Sequence, residues 1–375
     1  MNRTKQLHAQ GQSIWLDYIR RNFVVEGELR KLIEEDDLTG ITSNPTIFDE
    51  AIARGDEYEN AIQRAAERNL SADETYTEIA IADVQMAADE FREVFERTKG
   101  ADGYVSLEVS PHLAYDTEGT VKQARELWER VARPNVFIKI PGTAEGIPAI
   151  RRAIAEGINI NITLLFGLNR YREVTEAFLA GLEDRVSAGQ SIERVASVAS
   201  FFLSRIDLLV DPRLEEIARQ NRGLAAKAQR LRGKTAIACA KEAYQIYKKV
   251  FASERFRRLA VRGVRTQRVL WASTSTKNPQ ERDVRYVEPL IGPDTINTMP
   301  RKTLDAFRDH GDPTPRLEEN LDEACTVLRE LGEVGVDLDA VSDQLEKQGV
   351  EKFNQPFDHL HEELQRKLSH LTVGR

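Results

Sequence analysis

Eight short apolar runs recur along the chain, and longer amphipathic stretches separate them. The runs are Ser13–Ile19, Gly40–Asn44, Tyr104–Ser110, Val136–Ile140, Asn159–Leu165, Ala196–Phe202, Arg268–Ser273 and Asp294–Met299. Such runs are too short for buried helices and suit strands covered on both faces. Between them the pattern turns helical. Thr117–Ala132 sets Val121, Ala124, Leu127, Trp128 and Val131 on one face, and Thr143–Glu156 is followed by Gly157, a plausible helix-ending glycine. Strands alternating with helices imply a parallel sheet of the α/β class, and eight of them imply closure into a TIM (β/α)8 barrel. An open doubly wound sheet is the competing arrangement. No GxGxxG follows the first run, which counts against a dinucleotide site.

The chain has 375 residues, whereas a minimal barrel takes about 250. The surplus falls in three places. Leu208–Gly263 is charged and helix-forming, Asn278–Gly292 is predicted as the helix between strands seven and eight, and Arg301–Arg375 is a helical tail rich in Glu, Leu and Lys. The expectation is a single domain over 1–375, with an extra helical insertion at about 208–263 and a helical tail over 301–375. The tail ends in FDHLHEELQRKLSHL. Acidic residues on its polar face favour packing on the barrel over lipid binding.

Composition removes several function classes. With 53 basic and 61 acidic residues the net charge is −8, so no nucleic-acid partner is expected. No apolar stretch approaches the roughly 20 residues of a membrane span, and no signal peptide is legible, so a cytoplasmic location with no membrane partner is expected. Cys239 and Cys325 sit in no CxxC or Cys/His cluster, and the six histidines show no ligand spacing. No metal and no cofactor are therefore expected. A homo-oligomer is compatible with the sequence, which does not specify one.

The chemistry lies where polar residues interrupt the runs. Strand side chains alternate faces, so Lys139 shares the face of Phe137 while Val136, Ile138 and Ile140 face the helices. Pro141 and Gly142 end the strand just beyond it. Lys139 therefore points inward near the C-terminal mouth, either snorkelling to an acid or serving as a desolvated amine nucleophile. Its neighbours bear on that choice. Asp17 interrupts the first run and Asn44 ends the second. Glu108 lies between aliphatics in the third. Asn161 and Thr163 share a face in the fifth, as do Ser200 and Phe202 in the sixth, with Arg205 at its exit. Each has an ordinary structural role open to it, such as turn forming or ion pairing. Together they match the way barrel active sites are assembled from strand ends.

The strings WLDYI, GITSNPTIF, LEVSP, VFIKIPGT, ININITLLF and SFFLSRID, in that order, resemble the strand signatures of transaldolases from about Ser13 to Thr303. LWASTSTKNP, INTMPRKTL and GVEKFNQPFDHL resemble the longer, monofunctional branch found in actinobacteria and similar organisms. The resemblance implies transfer of a dihydroxyacetone unit between sugar phosphates, from sedoheptulose 7-phosphate to glyceraldehyde 3-phosphate, in the pentose phosphate pathway. It implies a Schiff base on Lys139, proton transfer at the C4 hydroxyl by Asp17, and Glu108 working with Thr163 through a water. By the same resemblance Asn44 and Asn161 hold the dihydroxyacetone hydroxyls. Ser200 and Phe202 lie near the substrate, and Arg205 binds phosphate. One position departs from the pattern: Ser275 stands where some transaldolases carry a second phosphate-binding arginine. Ser273 and Lys277 are the expected substitutes, Lys277 as a point charge.

The nearest rival is a fructose-6-phosphate aldolase, which cleaves without transfer. Chain length and Glu108 favour transfer. A barrel that binds a sugar phosphate without chemistry is disfavoured by the joint presence of Lys139, Asp17 and Glu108.

Overall fold

The eight runs do form eight parallel strands. In the computed structural model, which describes residues 2–278 and 280–373, they are β1 (Gln12–Asp17), β2 (Leu38–Thr42), β3 (Tyr104–Glu108), β4 (Val136–Pro141), β5 (Ile160–Leu165), β6 (Ser197–Phe202), β7 (Arg268–Ala272) and β8 (Thr295–Met299). They pair in sequence order and β8 returns to β1, which closes a TIM barrel. Closure leaves no sheet edge, so every strand is buried on both sides. Residues of one inward face sit level on adjacent strands: Glu108 opposite Lys139, and Lys139 opposite Asn161.

Aromatic rings fill the barrel below this level. Phe137 stacks on Tyr104 with ring centroids 4.3 Å apart and lies 6.0 Å from Trp15. Gly40 on β2 makes room for Trp15, since a Cβ there would lie 2.5 Å from the indole. The N-terminal end is closed by a satisfied polar cluster. Asp102 accepts from Trp15 Nε1 at 2.8 Å and from Ser13, while Arg268 donates to Ser13 Oγ at 2.7 Å and to the Ala101 carbonyl at 2.8 Å.

The helices follow the sequence pattern closely, with one exception. Thr117–Val131 ends at Ala132, and Gly146–Glu156 ends at Gly157 with φ 86°. The insertion after β6 contains the helices Ser204–Gln220, Ala225–Leu231, Thr235–Phe251 and Glu254–Ala260. The expected helix over 278–292 is not formed: its described residues make turns and one short 3-10 helix, Glu288–Leu290. The cause is the spacing. Val284, Val287 and Leu290 are all fully buried at three-residue intervals. The Val287 amide bonds the Val284 carbonyl and the Leu290 amide the Val287 carbonyl, the i→i+3 bonding that this spacing favours. Pro289 removes a further donor.

The tail forms the helices Arg301–His310, Leu321–Glu333 and Leu338–Val373. The first packs on β1 and β8 as the barrel's eighth outer helix. The last, hereafter the terminal helix, packs on the helix Pro45–Arg54 that follows β2, on the helices Glu59–Glu67, Ala72–Glu90 and Ser204–Gln220, and on β5. Its buried stripe is Val341, Leu345, Val350, Phe353, Phe357, Leu360, Leu364 and Leu368, a helical spacing of three and four apart from the step between Leu345 and Val350. Each of these side chains contributes about 1.5–3 kcal/mol by leaving water. Gly349 brings the helix close to the end of β5, since a Cβ there would lie 3.0 Å from Leu164. Three His–Asp pairs fasten it: His112 to Asp358, His359 to Asp49, and His361 to Asp73. Among the described residues, no helix is long and apolar enough to cross a membrane.

Candidate active site

At the C-terminal mouth the strand ends and the terminal helix enclose a cavity of about 510 Å³. Its wall includes Asp17, Thr42, Asn44, Lys139, Ser200 and Phe202, with Arg205, Ser273 and Lys277 on the same lining. The terminal helix adds Lys352 and Phe353. The cavity is concave and polar, with room for a phosphorylated sugar.

Lys139 lies at its base. Its side chain is 6% exposed and pairs with Glu108, itself 9% exposed. The ammonium also donates to the Ser43 carbonyl at 3.0 Å. Burial raises the Glu108 carboxyl above the usual carboxylate range, and the Lys139 charge opposes that rise only in part. Beside the pair is a second cavity of about 10 Å³, the size of one water molecule, lined by Glu108, Lys139, Thr163 and Phe353. Thr163 Oγ1 is buried and has no hydrogen-bond partner. The next residue, Leu164, has φ 60°, a conformation that costs a branched side chain on the order of 1–3 kcal/mol and is typical of functional sites. Ser273, directly after β7, shares it with φ 54°.

Asp17 lies across the mouth. Its Oδ1 accepts from Thr42 Oγ1 at 3.0 Å and from Asn44 Nδ2 at 3.3 Å, contacts that fix the orientation of the carboxylate. Asn44 has two roles at once. Its Oδ1 caps the helix Pro45–Arg54 through the Ile47 amide, and its Nδ2 faces Asp17. Asn161 is not on the wall of the large cavity. It is fully buried, with Oδ1 accepting from Ser200 at 2.7 Å and Nδ2 donating to Ser106 at 3.0 Å, so it backs Ser200 from within the barrel.

The opposite wall is cationic. Arg205 Nη1 is buried without a hydrogen-bond partner. Leaving a buried donor unpaired costs about 1–3 kcal/mol, and more for a charged one. Burial lowers the Arg205 pKa, and Asp17 partly restores it. Lys277 donates to Ser275 Oγ at 2.7 Å, and Ser273 Oγ lies 2.9 Å from Ser204 Oγ. Burial lowers the Lys277 pKa, with Arg205 and Lys352 adding to the effect.

Several wall residues escaped the sequence reading, among them Thr42, Thr298, Lys352 and Phe353. Thr42 and Thr298 lie 2.9 Å apart and were legible in principle from strand alternation. Lys352 and Phe353 were not, because nothing in an amphipathic pattern says what the apolar face rests on.

A buried lysine–carboxylate pair at a barrel mouth, facing an unpaired arginine, accords with what comparison with known proteins returns. The model of the transaldolase/fructose-6-phosphate aldolase family matches residues 14–364. The chain belongs to that family. A transaldolase of Thiobacillus denitrificans is 46% identical over 360 residues, covering 96% of this chain and 99% of the relative. One from Thermobifida fusca is 48% identical over 357 residues, with 95% of each covered. One from Trichodesmium erythraeum is 44% identical over 377 residues, with 99% of each covered. The chain is thus an enzyme of the transaldolase family, and the plain aldolase alternative is not favoured.

Proposed function

We propose that this enzyme transfers a dihydroxyacetone unit from sedoheptulose 7-phosphate to glyceraldehyde 3-phosphate, giving erythrose 4-phosphate and fructose 6-phosphate, with Lys139 as the covalent nucleophile. The observation that carries this reading is the Lys139–Glu108 pair at the base of a cavity whose other walls present Asp17 and the unpaired Arg205.

The steps follow from the groups present. Glu108, its carboxyl raised by burial, takes a proton from the Lys139 ammonium. The free amine attacks the ketose C2 carbonyl, and the carbinolamine loses water as Glu108 returns the proton to the leaving hydroxyl. A water between Glu108 and Thr163 would relay that proton and later attack the imine to release product. Asp17 takes the proton of the C4 hydroxyl, so that the C3–C4 bonding electrons move into the protonated imine and the first aldose departs. The bound enamine then adds through its C3 to the aldehyde of the second aldose, and Asp17 protonates the new C4 oxygen. Asn44 and Ser200 would orient the three-carbon unit, with Asn161 behind Ser200 and Phe202 beside it. Arg205, Ser273 and Lys277 would hold the phosphate.

No step needs a cofactor or a metal. Free sugar phosphates as substrates, and two unpaired cysteines, fit a cytoplasmic enzyme. The chain would act as one domain, because its last helix walls the site. Borohydride reduction with fructose 6-phosphate, followed by peptide mapping, tests the assignment. The reading expects one reduced adduct, on Lys139. An adduct elsewhere, or none, overturns it. Transfer to erythrose 4-phosphate should outpace release of free dihydroxyacetone; the reverse would favour the plain aldolase reaction.

A further inference from the structure

The terminal helix is not only a cover. Lys352 projects from it onto the same cavity wall as Arg205 and Lys277. Asp17 and Glu50 are the only acids on that wall among the described residues, and Asp17 already accepts two hydrogen bonds from its neighbours. Lys352 itself has no hydrogen-bond or ion-pair partner among the described residues. Its helical neighbours Glu351 and Gln355 bond each other instead.

We propose that Lys352 is a phosphate-binding residue, which completes with Arg205 and Lys277 a three-cation pocket for the phosphate group of the sugar substrates. The proposal deepens the sugar-phosphate reading above and rests on it. Its physical basis is charge. Three cations converging on one cavity repel one another, and Lys352 is close enough to Lys277 to disfavour its charged form. A sugar phosphate carries about 1.5–2 negative charges at neutral pH and three strong acceptor oxygens, so it relieves that repulsion and pairs with Arg205 Nη1, buried without a partner. The two lysines act as point charges on a wall where Ser275 supplies none. Lys352 arrives from a segment far from the barrel strands in sequence, so phosphate binding also holds the terminal helix over the mouth.

The experiment compares wild type, Lys352→Ala and Lys352→Arg. With erythrose 4-phosphate as acceptor, Lys352→Ala should raise KM about tenfold, the effect of losing one charge-assisted contact, while kcat stays within about twofold. With unphosphorylated glyceraldehyde as acceptor, kcat/KM should not change. Lys352→Arg should restore most of the affinity. Inorganic phosphate, titrated by calorimetry, should bind Lys352→Ala about tenfold more weakly, a readout independent of imine chemistry. Equal phosphate affinity in wild type and Lys352→Ala overturns the proposal, as does an equal loss with both acceptors. Borohydride trapping with unphosphorylated dihydroxyacetone separates the two readings. If no adduct forms on Lys139 in wild type but Lys352→Ala still loses phosphate affinity, the Lys139 assignment fails and the Lys352 assignment stands.

Discussion

Both ends of the barrel bury a basic residue against an acid, and the two pairs do different things. At the N-terminal end Arg268 and Asp102 are knitted into Ser13, Trp15 and the Ala101 carbonyl. At the C-terminal end Lys139 and Glu108 adjoin Thr163 Oγ1 and share the mouth with Arg205 Nη1, neither of which has a partner. A fully satisfied network rigidifies a fold. A buried group left unpaired raises the energy of the site until a ligand or water pairs it. The N-terminal floor has unpaired atoms too, the amide oxygens of Gln12, Asn135 and Gln267, but the unpaired groups of the mouth belong to residues that line cavities a ligand or water can enter.

Substitutions at the two ends should separate cleanly. Lys139→Met should lower kcat by on the order of 10⁴-fold or more, since it removes the covalent path, with a small change in urea midpoint because Glu108, its carboxyl already raised by burial, can take up a proton when left unpaired. A variant retaining a tenth of wild-type activity would place the nucleophile elsewhere. Arg268→Met should do the opposite. It strands Asp102 and should cost about 3 kcal/mol of stability, while kcat per folded molecule stays within about twofold; urea denaturation and active-site titration measure the two. An equal loss of activity would mean that the floor also tunes the mouth. Phe353→Ala tests the boundary between the two cavities it lines. Opening the small one to the large should raise dihydroxyacetone release relative to transfer by about threefold, because water then reaches the carbanion-like intermediate that must otherwise wait for an aldose. An unchanged partition would show that Phe353 only packs.

The smallest effect concerns the fastenings of the terminal helix. Burial pushes His361 down, but its contacts with Asp73 and the Phe357 carbonyl outweigh this and raise it. Asp49 raises His359. A histidine raised in the folded state stabilises fully below its unfolded pKa, about 6.5, and loses that contribution as pH rises through the folded value. Asp73, lowered by His361, gives up its share only as pH falls through its own depressed value. The helix should thus be held best in mildly acidic solution. The wild-type midpoint should fall by a degree or two from pH 6 to pH 8.5 relative to His359→Gln/His361→Gln; parallel curves would refute the coupling.

The barrel was legible because alternation of strand and helix is written in hydrophobic period, and the inward polar residues could be counted off strand by strand. The helix predicted over 278–292 was not formed, because Val284, Val287 and Leu290 recur at the interval of a tighter turn. Asn44 shows how a capping residue and a site residue can be one side chain. Nothing in the run Arg268–Ser273 marks Arg268 as a partner of Asp102, since that contact depends on a loop distant in sequence. Lys352 looked like any lysine in a Glu- and Lys-rich helix. Periodicity identifies a buried face, but which cavity the neighbouring residue overhangs is a property of the fold.

The terminal helix also sets an order of assembly. β8 ends at Met299 and the roof begins at Leu338, so a chain made from its N-terminus can close its barrel before any residue of the roof exists. During that interval the mouth stands open, without Lys352 to grip an anion or Phe353 to wall off water. A chain that stops short would have Lys139, Arg205 and Lys277 but no Lys352 or Phe353 over them, so synthesis of the last segment is what completes the site.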